Sequence, residues 1–255
     1  MNHEEQSRLL DCLLDMGELL MDAGAEISRV EDTLGRVGLA YGAKRMDVFV
    51  ITSIISMTME FPGCEAVTET RRIRSTGGTD LYRVDKLNQL SRRCTAAPLP
   101  LEELRAEVDK VAAGHKPFSA ILIGSVLAAR AFAVFFGGGL VDALAAALFA
   151  VAVVALQERL GRTRLNPAAS NLLISLLMGV LVGLSCLLLP ALHMDKILIG
   201  VIMLLIPGLA MTNAIRNMLL GDTISGVVRL AESLIWAAAL AGGFMAALSL
   251  VNALR

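Results

Sequence analysis

"ILIGVIMLLIPGLAMTNAIRNMLLGD", Ile197 to Asp222, opens as a run fit for a lipid core, breaks at Pro207-Gly208, and carries Thr212, Asn213, Arg216 and Asn217 on its remaining turns. Ile197 to Ile215, which Leu219 can extend, is close to the roughly 20 helical residues needed to cross a hydrocarbon core of about 30 Å. Pro207 cannot donate to the carbonyl of Met203, and Gly208 weakens the helix further, so a kink or break is expected near mid-membrane. A carbonyl freed there is tolerated where it faces protein or a wet cavity, as in the discontinuous helices of transporters. Thr212 and Arg216 are four apart, as are Asn213 and Asn217, so hydroxyl, amide and guanidinium groups share one helical face.

Four further apolar runs flank this one: Pro117 to Gly138, interrupted by Arg130, then Leu140 to Gln157, Leu172 to Leu192 and Ser233 to Leu254. The chain of 255 residues is 55% hydrophobic. That is above the usual share for a water-soluble domain. Charge is unevenly placed: residues 1–116 hold 15 Lys+Arg and 19 Asp+Glu, residues 117–255 only 8 and 5. The expected fold is therefore a polytopic α-helical membrane protein, with an N-terminal cytoplasmic α+β domain (1–116) and a membrane domain of five transmembrane helices (117–255). Lys110 and Lys116 precede the first span, Arg159, Arg162 and Arg164 follow the second, and Arg216 and Arg229 follow the fourth. The opposite side has only Lys196 and Arg255, so the positive-inside rule places the N-terminus in the cytoplasm and the C-terminus outside.

In the N-domain, Leu9, Leu10, Leu13, Gly17, Leu20, Met21 and Gly24 recur at helical spacing, with Asp11, Asp15, Glu18 and Asp22 opposite, which predicts an amphipathic helix. A second helix is expected from Ser28, where Ser28-Arg29-Val30-Glu31 fits a capping box, to Gly42. Met46 to Glu60 and the "EAVTETRRIR" that follows Pro62-Gly63 predict two strands. "STGGTD" predicts a loop with Asp80 as N-cap of a helix through about Arg93; a last helix enters at Pro100 and leaves at Gly114.

Several functions find no support. Neither region has the basic stripe of a nucleic-acid interface. Cys12, Cys64, Cys94 and Cys186 are scattered, read as reduced packing thiols, and His3, His115 and His193 are isolated, so no metal site, cofactor or catalytic triad is expected. The glycines at 137–139 lack the Lys and spacing of a P-loop, and Thr223 to Gly226 is no nucleophile elbow.

Transport chemistry has better candidates. Arg130 inside a span costs about 2.5–3.5 kcal/mol on insertion scales, so it either faces a cavity and an anionic solute or snorkels to a helix end. Asn213, Thr212 and Arg216 can contact a polar solute, or Asn213 can bond a neighbouring helix with Arg216 at the interface. Glu232 and Asp222 lie at the same membrane edge, as coupling carboxylates or solvated ones.

Two segments together carry a resemblance. "GELLMDAGAEISRVEDTLGRVGLAYGA", Gly17 to Ala43, and "LLIPGLAMTNAIRNMLLGDTISGVVRLAES", Leu204 to Ser233, resemble the two signatures of the threonine/serine exporter (ThrE) family. The length and five spans are similar to YjjP-type members. The resemblance implies efflux of small metabolites from the bacterial inner membrane, threonine and serine or C4-dicarboxylates such as succinate, with a small four- or five-span YjjB-type membrane protein as partner and a higher oligomer as an option. It places family motif positions at Gly24, Ala25, Arg29, Val30 and Glu31, then at Pro207, Gly208, Asn213, Gly221, Gly226 and Arg229; relatives commonly carry Asp where this chain has Asn217. Arg29 and Glu31 also have a structural reading, Glu31 in the capping box and Arg29 paired with Glu26 or Asp32. Two rivals remain open, a membrane-anchored hydrolase and a non-transporting scaffold or sensor subunit.

Overall fold

The computed structural model describes residues 3–73, 78–114, 117–163 and 165–254. His115, Lys116, Arg164, Arg255, and Ser75, Thr76 and Gly77 of the "STGGTD" loop lie outside the described residues. The chain divides into two compact units: residues 1–115 with 209–230, and residues 116–208 with 231–255.

The N-terminal unit is built around helix α1 (His3–Asp22), with α2 (Ile27–Ala40), strands β1 (Arg45–Ile51), β2 (Ile54–Glu60) and β3 (Val67–Arg72), and helices α3 (Leu81–Ala96) and α4 (Leu101–Ala113). Leu9, Leu10, Leu13, Leu14, Met16 and Leu20 of α1 are all buried, so this helix is covered on most sides by α2, α4 and the sheet. Its acidic strip is also engaged. Arg71 of β3 pairs with Asp11, Asp15 and Glu18, and Arg105 of α4 with Asp11 and Asp15.

Two expectations need correction here. Met46 to Glu60 is not one strand but the β1–β2 hairpin, turning at Thr52-Ser53, so the sheet has three antiparallel strands in the order β1-β2-β3. The hydrophobic period survives the turn: Ile55, Met57 and Met59 are buried, while Ser56 and Thr58 on the other face bond Thr70 and Thr68 across the strands. The Ser28–Glu31 capping box is not formed either. Helix α2 begins one residue earlier, with Glu26 in the N-cap position and no side-chain cap, and Glu31 instead accepts from the Val50 backbone amide at 2.9 Å. Asp80 caps α3 as expected by accepting from Arg83 N, though α3 runs on to Ala96 rather than ending near Arg93, and α4 runs between Pro100 and Gly114.

The second unit holds α5 (Phe118–Phe135), α6 (Leu140–Gly161), α7 (Pro167–Leu188), α8 (Met194–Ile202) and, from residue 231 on, α10 (Thr223–Ala253). Among the described residues, four helices are long and apolar enough to cross a membrane: α5, α6, α7 and α10. The protein is a mostly helical, multi-pass membrane protein. The expected fourth span is the exception. It is divided into α8, of 9 residues, and α9 (Gly208–Leu219), of 12. At 1.5 Å per residue these pieces measure about 14 and 18 Å, each short of a hydrocarbon core. The break follows from Pro207: the chain tightens ahead of it, with Leu204 N donating to Val201 O and Leu205 N to Ile202 O, and α9 restarts only beyond the proline.

This unit closes on small residues. A Cβ on Gly200 would stand 2.6 Å from the Ala129 carbonyl oxygen, and one on Gly179 2.5 Å from Ala247 Cβ. Large apolar side chains such as Leu144, Leu148 and Leu177 face outward instead. His193, expected to be isolated, is engaged: the fully buried carboxylate of Asp142 accepts from the amides of Gly139 and His193 and meets His193 Nδ1 at 3.0 Å, tying two turns together.

Candidate functional site

Residues 209–230, α9 and the first turns of α10, belong to the N-terminal unit, and they meet it at the α1–α2 connection. That connection has a fixed shape. Gly24 N donates to Met21 O and Ala25 N to Leu20 O, the pattern of a helix closed by a left-handed residue, and Gly24 supplies the required φ of +78°. The turn leaves successive acceptors directed away from α1, and each is taken. Ala23 O receives Asp80 N at 2.9 Å, Gly24 O receives Asn213 Nδ2 at 3.3 Å, and Ala25 O receives an Arg229 guanidinium nitrogen at 3.4 Å. The Glu26 carboxylate pairs with Arg216 at 2.8 Å, its side chain 13% exposed against 56% for the arginine.

Helix α9 ends by the same device. Gly221 N donates to Met218 O and Asp222 N to Asn217 O, with Gly221 at φ +103°. The chain then reverses into α10, and Gly226 lets the two helices touch: a Cβ there would lie 2.8 Å from the Ala214 carbonyl oxygen and 2.9 Å from Met218 N. One glycine of each signature thus closes a helix, and the polar residues between them join the two closures.

Glu31, one turn into α2, is held by Val50 N, and burial pushes its carboxyl up from the ordinary value, against that hydrogen bond and with a smaller push from Asp222 in the same direction. Arg29 is exposed and makes no hydrogen bond or ion pair among the described residues; the expected pairing with Glu26 or Asp32 is not formed, because Glu26 holds Arg216 and Asp32 holds Arg36. Asn217 is fully buried, with neither amide atom hydrogen-bonded among the described residues. Thr212 is exposed on α9.

The remaining candidates fall in the other unit. Arg130 is exposed on α5 and without a hydrogen bond or ion pair among the described residues; Glu232 is half-buried on α10; Pro207 and Gly208 form the break. Of the four thiols, Cys12 and Cys94 are packed as expected, and burial raises the Cys12 thiol to about 11, whereas Cys64 is exposed. Among the described residues no group of three or more His, Cys, Asp or Glu could hold a metal ion.

A family model described as "Putative threonine/serine exporter" matches residues 11–251. The chain belongs to the ThrE family. Comparison with curated proteins and with solved structures gave no match. The ThrE match runs through both signatures and the whole junction of α1, α2, α9 and α10, and it makes this a member of a family of membrane transporters. Arg36, Asn88 and Arg92, which gather near Arg29 together with the buried Ser91, carry no sequence signal of their own: each sits on a helix face that reads as ordinary solvated surface.

Proposed function

We propose that this chain is a subunit of a secondary transporter that exports small carboxylate metabolites, threonine and serine or C4-dicarboxylates such as succinate, across the bacterial inner membrane. The observation that carries the reading is the junction itself, where Asn213, Arg216 and Arg229 of one ThrE signature engage Gly24, Glu26 and Ala25 of the other. In this reading residues 1–116 form a cytoplasmic domain and 117–255 a membrane domain of five spans, the fourth divided at Pro207-Gly208. The C-terminus is outside, in keeping with the distribution of Lys and Arg. A small YjjB-type membrane subunit completes the pathway, and the pair can assemble into a higher oligomer.

Export would proceed by alternating access. The solute's carboxylate displaces Glu26 from Arg216 and Asn213 turns from Gly24 O to the solute, so loading and release of the α1–α2 turn are one event. Arg130 offers a second cation along the path, and Asp222 and Glu232 are carboxylates available for ion coupling. The test is export of labelled threonine, serine and succinate from cells with and without this chain and its partner. Export of at least one that depends on the chain is the expected result; export of none removes the transporter reading, and unchanged export by Asn213→Ala removes the assignment of Asn213.

A further inference from the structure

Helices α2, α3 and α9 of the N-terminal unit enclose an open pocket of about 390 Å³, lined by Arg29, Arg36, Arg92 and Arg216 against only two carboxylates, Glu26 and Asp32. Arg216 and Arg36 are each paired, to Glu26 and Asp32. Arg29 and Arg92 are not: neither makes a hydrogen bond or ion pair among the described residues. The lining therefore carries two guanidinium charges in excess of its acids. Four arginines drawn to one concavity repel one another unless an anion joins them, and guanidinium forks match the oxygens of phosphate and carboxylate.

Two further features point into the same space. Thr33 and Ser91 line the pocket, are 5% and 7% exposed, and have hydroxyls with no hydrogen-bond partner among the described residues. Neither oxygen is sealed from solvent, so both hydroxyls reach the open space of the pocket and can donate to an occupant. The first turn of α2, a helix of 14 residues, also opens here: with no side-chain cap from Glu26, the amides of Ser28 and Arg29 have no acceptor among the described residues. A helix start with free amides favours an anion through both its N–H groups and its dipole.

We propose that this pocket binds a phosphate monoester. A phosphate dianion matches the two unpaired charges, and its several oxygens, all acceptors, match a surface of converging guanidinium, hydroxyl and amide donors. A monocarboxylate brings one charge and two oxygens, the ammonium of an amino acid would face the arginines, and a C4-dicarboxylate divides its two charges between the ends of its chain where phosphate gathers them on one centre. The volume exceeds that of phosphate alone and leaves space for an organic remainder, within the roughly 300–1,000 Å³ of small-molecule sites. Because Arg216 lines the pocket and also holds Glu26, an occupant is sensed at the α1–α2 turn. The site shares Arg216 and Glu26 with the transport reading but is read out independently of it, by binding to the purified chain whether or not any solute is exported.

The experiment is titration of the purified full chain with inorganic phosphate and with glycerol phosphate, by calorimetry and phosphorus NMR. The expected result is saturable binding of both, weakened at least about tenfold in Arg29→Gln/Arg92→Gln and kept in Arg45→Gln, a strand residue outside the pocket, with thermal unfolding confirming that each variant is folded. Absence of saturable binding by the wild-type chain overturns the proposal, as does equal binding by the double variant. Displacement of phosphate by equimolar succinate or threonine that persists in Arg216→Gln also overturns it, by making the pocket a carboxylate site independent of the residue the transport reading uses.

Discussion

In the N-terminal unit the core is made of Leu9, Leu10, Leu13, Leu34, Ile55 and Met57, while the α5–α8 unit closes on Ala129, Ala133, Ala146, Ala150, Gly179 and Gly200 and leaves Leu144 and Leu148 outside. The contrast reflects two solvents. In water, burying a large aliphatic side chain contributes about 1.5–3 kcal/mol, so the large residues go in. In lipid the outside is as apolar as the inside, so helices gain from close approach, and small residues permit it. The same amino acid thus has opposite value in the two units.

The largest effect expected is for Leu34→Ala, which empties space at the α1–α2 contact where Leu34 lies over Gly17. It should cost about 2–5 kcal/mol, read as a fall in the unfolding midpoint of the purified protein. Leu148→Asp probes the other rule. At 70% exposure on α6, Leu148 would be a harmless site in water, but a charge there should oppose insertion by about 2.5–3.5 kcal/mol, seen as loss of membrane-integrated protein. Ordinary tolerance at Leu148 would mean that this face of α6 does not meet lipid.

Gly200→Ala should cost about 1–3 kcal/mol by forcing α8 away from the Ala129 carbonyl, measured by thermal unfolding in detergent. Gly35→Ala is its control in the other unit, because a Cβ there meets nothing within 4 Å. The smallest effect concerns Glu31. Its raised pKa means that its charged form is held less well in the fold than in the unfolded chain, so its contribution is most favourable below the ordinary value of 4.5 and is lost as pH rises through the folded value. Glu31→Gln keeps an acceptor for Val50 N and removes that charge. It should stabilise the protein at neutral pH, with the gain fading as the pH falls through the raised folded value towards 4.5 in unfolding curves.

Much of this architecture was readable from the chain. The long apolar helices announce themselves by length, and Asp80, Pro100 and Gly114 mark helix ends by chemistry that acts locally. The β1–β2 hairpin was hidden because its turn, Thr52-Ser53, interrupts neither the β-branched composition nor the alternation. The capping box failed because a competing acceptor role, Glu31 to Val50, lies 19 residues away in sequence and only tertiary structure reveals it. Pro207-Gly208 foretold the break, but nothing local says that α9 then groups with the N-terminal unit. The partners of Asn213, Arg216 and Arg229 lie about 190 to 208 residues away, beyond any pattern of spacing.

In the proposed mechanism Glu26 and the exported solute compete for Arg216. The most direct measurement is the concentration dependence of labelled-solute export by Glu26→Gln, reconstituted in vesicles with the membrane partner. Arg216 is 56% exposed and glutamine keeps a neutral acceptor in place of Glu26, so the substitution removes the competing charge without stranding a buried cation. Removing the competitor should lower the half-saturating solute concentration several-fold, and Arg216→Gln should raise it. An unchanged or raised half-saturation in Glu26→Gln would contradict the account.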